Sequence, residues 1–126
     1  MKEIKAYIHR CCVNKVVEGL DEAGAPGITI AEVHPGSQGH EPDYFEAPFE
    51  DGYKRDTNMD FVKVEVTCAD HDVARLVQAI RNGSWTGSKG DGWIFVTEVA
   101  LGLRIRDGAS GDGALAQERQ ASRVAS

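Results

Sequence analysis

A chain of 126 residues, 41% apolar and 27% charged, suits one domain with a modest core, and it contains no apolar run near the roughly 20 residues that a membrane span needs. Its formal net charge of −6 argues against broad binding to nucleic acid, which needs clustered Lys and Arg, but leaves room for a small basic pocket around one anionic ligand. Three cysteines, Cys11, Cys12 and Cys68, without CxxC spacing, give neither a disulfide framework nor a zinc signature, and the adjacent pair reads as two ordinary thiols.

The opening MKEIKAYIHR alternates polar and apolar residues, so residues 2–8 predict a strand and not a signal peptide; a cytoplasmic location is expected. Val13, Val16, Val17 and Leu20 recur at i, i+3, i+4 and i+7, the stripe of an amphipathic helix, with Gly24 and Pro26 as its stop. Ile28 to Val33 is a β-branched run that predicts a second strand. Residues 34–60 hold three prolines, many charges and no period, and read as a long loop of the kind that is either functional or disordered. Phe61 to Thr67 alternates again, with Val62, Val64 and Val66 on one face. Asp70 or Asp72 is expected to cap a second helix, whose Val73, Leu76, Val77 and Ile80 repeat the first helix's spacing and which Asn82 and Gly83 are expected to end. A glycine-rich loop at 84–92 leads to a fourth strand at Trp93–Val99, Leu101 to Arg106 reads as a short fifth, and 107–126 reads as a mobile tail. Two strand-helix-strand units in one chain are the pattern of an α+β, ferredoxin-like double βαβ sandwich, with one sheet face under helices and the other solvated or covered by another subunit.

Thr86-Gly87-Ser88-Lys89-Gly90-Asp91-Gly92 is the sharpest local signal. Its glycines allow positive φ and bring backbone N–H groups close to an anion, yet it is neither a P-loop nor a Rossmann fingerprint, because it leaves a helix instead of entering one. Arg104 and Arg106 stand two apart in the alternating Leu103–Arg106 segment; on an extended strand they share a face at roughly 6.5–7 Å, an arrangement suited to phosphate. His9, His34, His40 and His71 fall at no metal-ligand spacing, so no metal is expected, and no Ser or Cys sits in a nucleophile motif.

The run Thr86–Val96 resembles the C-terminal signature TGxxGDGKIFV of the PII signal-transduction family. Arg104-Ile105-Arg106 resembles that family's RIR segment, Gly24–Val33 its GxxGMTVTEV, and the opening Met1–Ala6 also fits. The resemblance runs in order over residues 1–108, with 109–126 left as a flexible tail. It implies a non-enzymatic regulator: a homotrimer that binds adenine nucleotide in clefts between subunits and docks on a target protein, a transporter or an enzyme, through a T-loop at 34–60. Carried over by position, Gly90, Asp91, Gly92 and the neighbouring Trp93 would stand at the phosphates, Arg104 and Arg106 would clamp them, and Thr29, Thr67 and Thr86 would line the adenine and ribose end. Gly36, Ser37 and Gln38 fall in the T-loop, Gln38 near the family's metal- and 2-oxoglutarate-contacting glutamine.

The departures carry a prediction. Trp93 stands where the family has Lys after GDG, Phe61 replaces another Lys, the family's FGRQKG becomes Pro35-Gly36-Ser37-Gln38-Gly39, and the RGxEY segment is missing, although Tyr44 and Tyr53 remain. Each lost charge-assisted bond is worth about 1.5–3 kcal/mol, so losing two weakens triphosphate binding by roughly two or more decades. ADP or AMP is therefore expected over ATP, with no response to 2-oxoglutarate. The divergence resembles PII-like branches associated with carboxysomes and bicarbonate handling, which makes bicarbonate or a similar anion beside the diphosphate a candidate co-ligand and inorganic-carbon or nitrogen metabolism the candidate setting. Three alternatives stand beside this reading: a small nucleotide hydrolase with Asp91 as its nearby carboxylate, a PII protein answering to ATP and 2-oxoglutarate, and a metal-tolerance protein of the same trimeric shape, against which the glycine loop and arginine pair argue.

Overall fold

A computed structural model describes residues 1–34 and 61–116. The expected T-loop from Pro35 onward, with Gly36, Ser37 and Gln38, and the last ten residues of the chain lie outside them. Six elements follow in order: β1 (Lys2–His9), α1 (Val13–Glu22), β2 (Thr29–Glu32), β3 (Phe61–Cys68), α2 (Val73–Ser84) and β4 (Trp93–Glu98). Short tight turns, Arg10–Cys12 and Asp70–Asp72, lead into the two helices.

The strands form one antiparallel sheet in the order β2-β3-β1-β4. That order follows from two βαβ units interleaved so that β1 and β3 are central, and it is the ferredoxin-like arrangement the sequence pattern predicts. Alternation places Ile4, Ala6 and Ile8 of β1 and Val62, Val64, Val66 and Cys68 of β3 on the buried face. Val16 and Leu20 of α1 and Leu76 and Ile80 of α2 cover them, all fully buried.

The opposite sheet face carries cross-strand rows set by register: Ala31, Lys63, Tyr7 and Trp93 in one, and Thr29, Glu65, Lys5 and Phe95 in the next. Lys63 pairs with Glu65 at 2.9 Å, while Trp93 stacks on Phe95 at 5.9 Å and Tyr7 meets Phe95 edge-on at 6.3 Å. β4 is an edge strand, and Trp93, Phe95 and Val96 along it are exposed.

Three local expectations are corrected. Gly83 does not end α2; it lies inside the helix, where a Cβ would sit 3.0 Å from the Val16 backbone, so it is there to let the helices touch. Ser84 closes the helix instead, its hydroxyl donating to the Ile80 carbonyl at 2.7 Å before Trp85 turns extended. Neither aspartate caps α2 with its side chain: Asp72 stands at the cap position, but its carboxylate accepts from Arg75 Nη2 at 2.7 Å.

The third correction concerns the fifth strand. Past β4 the described chain has only an isolated bridge, Leu103 to Ser110. Arg104 N–H donates to the Ala109 carbonyl and Gly108 N–H returns to the Arg104 carbonyl, each at 2.8 Å, so the chain reverses over 105–107 where a strand was expected. Beyond the turn, 112–116 begin a helical stretch, with Ala114 and Leu115 half-buried. Residues 109–116, expected as part of a free tail, are thus folded back toward Arg104.

Candidate functional site

The loop from Thr86 to Gly92 is organised by one carboxylate. Asp91 Oδ2 accepts the backbone N–H of Thr86 at 2.7 Å and of Gly87 at 3.1 Å, and Oδ1 accepts the Thr86 hydroxyl. Ser88 N–H then donates to Thr86 Oγ1 at 3.2 Å. The Thr86 hydroxyl first, then the Thr86 and Gly87 amides, hold the Asp91 carboxyl below the ordinary carboxylate value. A carboxylate so committed is a poor proton acceptor, which counts against Asp91 as the base of a hydrolase.

Gly92 fixes where this loop joins the sheet. Its φ is +110°, and a Cβ there would lie 1.8 Å from the Tyr7 carbonyl oxygen. Only glycine permits both the backbone conformation and the approach to β1. At Gly90 the reason differs: it has no positive φ, and a Cβ would meet nothing within 4 Å, so the main chain there is open to solvent.

Sequence reasoning missed two neighbours of this loop. Tyr7 lies under Gly92 and pairs with Trp93. His9, only 3% exposed, is tilted over Phe61 at 4.8 Å with Nε2 4.0 Å from Asp91 Oδ1. The alternation of β1 was the available signal, since it sets Tyr7 and His9 on the sheet face opposite Ile4, Ala6 and Ile8. Tyr7, Ile8, Trp85, Asp91, Gly92 and Trp93 border a cavity of about 250 Å³.

The arginines belong to a different place. Arg104 is half-buried, its side chain 17% exposed, and borders a second cavity, about 310 Å³, with Met1, Thr67, Leu103 and Leu115. Arg106 is exposed on the turn, and Ile105 is fully exposed. Because the segment turns, the two guanidiniums do not share one face of a strand as the spacing predicted. Thr29 lies on β2, on the sheet face away from the helices, and borders neither cavity. Thr67 and Arg104 therefore come together at one end of the sheet, and Thr86, Asp91, Gly92 and Trp93 at the other. Met1 borders one cavity and Tyr7 the other, about 20 Å apart at the rise of a strand.

The cysteines are free thiols. Cys11 and Cys12 Sγ stand 4.0 Å apart, and burial pushes the Cys12 and Cys68 thiols up. Among the described residues no helix is long and apolar enough to cross a membrane.

The described residues thus form a ferredoxin-like sandwich with a carboxylate-tied glycine loop before its last strand and an arginine turn after it. The family model for nitrogen regulatory protein P-II matches residues 1–109, and the chain belongs to that family. It is 40% identical over 116 residues to nitrogen regulatory protein P-II of Rhizobium meliloti strain 1021, covering 88% of this chain and 96% of that protein. It is 39% identical to the protein of the same name from Azospirillum brasilense, covering 91% and 100% of the two chains. It is 35% identical to nitrogen regulatory protein P-II 2 of Methanothermobacter thermautotrophicus, covering 91% and 97%. These relatives are named as regulators and not as enzymes, in line with the expected signalling role.

Proposed function

We propose that this P-II protein binds an adenine nucleotide between neighbouring copies of itself, as a homotrimer, preferring ADP or AMP to ATP, and that occupancy governs docking of the 34–60 loop on a target protein in nitrogen or inorganic-carbon metabolism. The observation that carries this is the separation of the two anion-binding halves. In one chain the 86–92 loop and the Arg104–Arg106 turn lie at opposite ends of β4, too far apart to hold the same phosphates. A phosphate group at the loop of one copy takes its guanidiniums from the turn of another. The exposed edge strand β4, with Trp93, Phe95 and Val96, and the exposed Leu101, Leu103 and Ile105 beyond it, are surfaces that such an assembly covers.

The nucleotide preference rests on Trp93. An indole stacked on Phe95 occupies the first position after the loop and supplies no cation for a third phosphate. Bicarbonate or a similar small anion beside the diphosphate is the co-ligand we infer from the cations missing at Trp93 and Phe61, with no metal needed.

Calorimetric titration with AMP, ADP and ATP, each with and without 2-oxoglutarate or bicarbonate at fixed pH and ionic strength, tests the reading. ADP or AMP binds more tightly than ATP, and Trp93→Lys raises ATP affinity about tenfold or more, the worth of one charge-assisted bond. ATP binding that exceeds ADP and is strengthened by 2-oxoglutarate would overturn the preference. An unchanged ADP affinity with bicarbonate would remove the co-ligand. Mixing chains that carry Arg104→Ala/Arg106→Ala with chains that carry Gly90→Trp restores part of the ADP binding that each lacks alone. No recovery would place loop and arginines in the same copy.

A further inference from the structure

We propose that Asp107 is an internal competitor for the Arg104 guanidinium: its carboxylate occupies the fork that a phosphate would take, and a nucleotide gains that arginine only by displacing it. The inference rests on the nucleotide reading above and adds a residue that sets affinity at the same site.

Arg104 Nη2 donates to Asp107 Oδ2 at 2.6 Å and Nε donates to Oδ1 at 2.9 Å, a two-point grip. Nη1 reaches the Ala114 carbonyl at 3.4 Å. Carboxylate and phosphate engage the same edge of a guanidinium through paired in-plane N–H donors, so the two anions exclude each other there. The turn creates this contact. On an extended strand residues three apart point to opposite faces, whereas here the reversal at 105–107 folds Asp107 back onto Arg104. Asp107 Oδ1 also accepts the Ala109 N–H at 3.0 Å, so the carboxylate shapes the turn while it holds the cation. The Arg104 hydrogen bonds first, then the Ala109 amide, hold the Asp107 carboxyl well below the usual carboxylate range.

The competitor is a weak one. Asp107 is 42% exposed, and ion pairs in contact with water contribute little, so a diphosphate with several charges can displace it. Until displacement, Arg106 is the exposed arginine of the pair.

Asp107→Asn tests this, because the amide oxygen can still accept from Ala109 while the competing charge is gone. ADP affinity measured by calorimetry rises roughly two- to fivefold in the variant, the range of a half-exposed pair. In the Arg104→Ala background the same change gives no gain. In carboxyl-labelled wild-type protein, saturating ADP moves the Asp107 titration up toward the ordinary carboxylate range. Equal or weaker ADP affinity in Asp107→Asn, with an unchanged melting temperature, would overturn the competitor role while leaving the nucleotide reading intact. If Asp107→Asn destabilises the fold, the carboxyl titration decides: an Asp107 signal unmoved by bound ADP overturns the proposal. No ADP binding by wild type would sink both.

Discussion

Asp91 and Asp107 each organise a short glycine-bearing segment, one before β4 and one after it, and they spend their carboxylates differently. Asp91 takes its hydrogen bonds from neutral donors of its own loop, the Thr86 hydroxyl and amide and the Gly87 amide, with His9 Nε2 4.0 Å away. Asp107 takes a cation, Arg104, together with one amide. The first arrangement commits the carboxylate to a hydrogen-bonded backbone frame. The second holds a charge in reserve, because an ion pair at a half-exposed edge exchanges partners more readily than a set of loop hydrogen bonds rearranges. The glycines repeat the contrast. Gly92 is wedged against the Tyr7 carbonyl, while at Gly108, with φ +73°, a Cβ would meet nothing within 4 Å.

The largest expected effect sharpens that contrast. Gly92→Ala incurs both backbone strain and a collision with β1, and lowers stability by more than about 3 kcal/mol. Gly108→Ala incurs strain alone, roughly 1–2 kcal/mol. Urea denaturation of the two variants measures both. Equal losses would mean that the loop yields as easily as the turn, and the distinction between frame and reserve would fail.

The frame was legible in the sequence because its causes are local. Alternation through Ile4, Ala6 and Ile8 and through Val62, Val64 and Val66, and the helical spacing of Val16, Leu20, Leu76 and Ile80, report burial directly. The turn was not legible. Leu103-Arg104-Ile105-Arg106 alternates as a strand does, but a strand also needs a hydrogen-bonded neighbour, and the Arg104 amide finds Ala109 instead. Gly83 misled for a related reason. A glycine near a helix end looks like a stop until the opposite helix, with Val16 beneath it, is in view. The tie between Arg104 and Asp107 is three residues long in sequence and becomes visible only once the reversal between them is known. Of the predicted site residues, Thr86, Asp91, Gly92 and Trp93 come together and Thr67 joins Arg104. Their division between two ends of the sheet is a property of topology that residue order does not display.

Acidification separates the roles of the two aspartates from that of the core. Asp91 has its folded-state value lowered from 3.8 by donors the unfolded chain does not offer. Between that lowered value and 3.8 the unfolded state binds more protons, so the stability Asp91 adds is complete above about pH 4 and disappears as pH falls through the folded value. The melting temperature of Asp91→Asn therefore lies below that of wild type at pH 7, and the gap closes on acidification. A gap that stays constant into the acid range would show that charge on Asp91 is not what ties the loop. Asp107 carries the same sign with a different leading partner, so its share of the acid response shrinks when Arg104 is replaced by Ala, leaving the part that the Ala109 amide and Arg106 supply.

The smallest expected effect on stability is at Gly90, and it separates a folding role from a binding role. No positive φ demands glycine there, and a methyl group would meet only open space, so Gly90→Ala changes stability by no more than about 0.5 kcal/mol. Packing within the chain thus gives no reason for glycine at this position. If glycine serves to let a phosphate approach the main chain, the same methyl group reduces ADP affinity several-fold while the melting temperature of the free protein holds. A variant unaltered in both would leave Gly90 without a role in the loop, and the anion cradle would then rest on Asp91 and Gly92 alone.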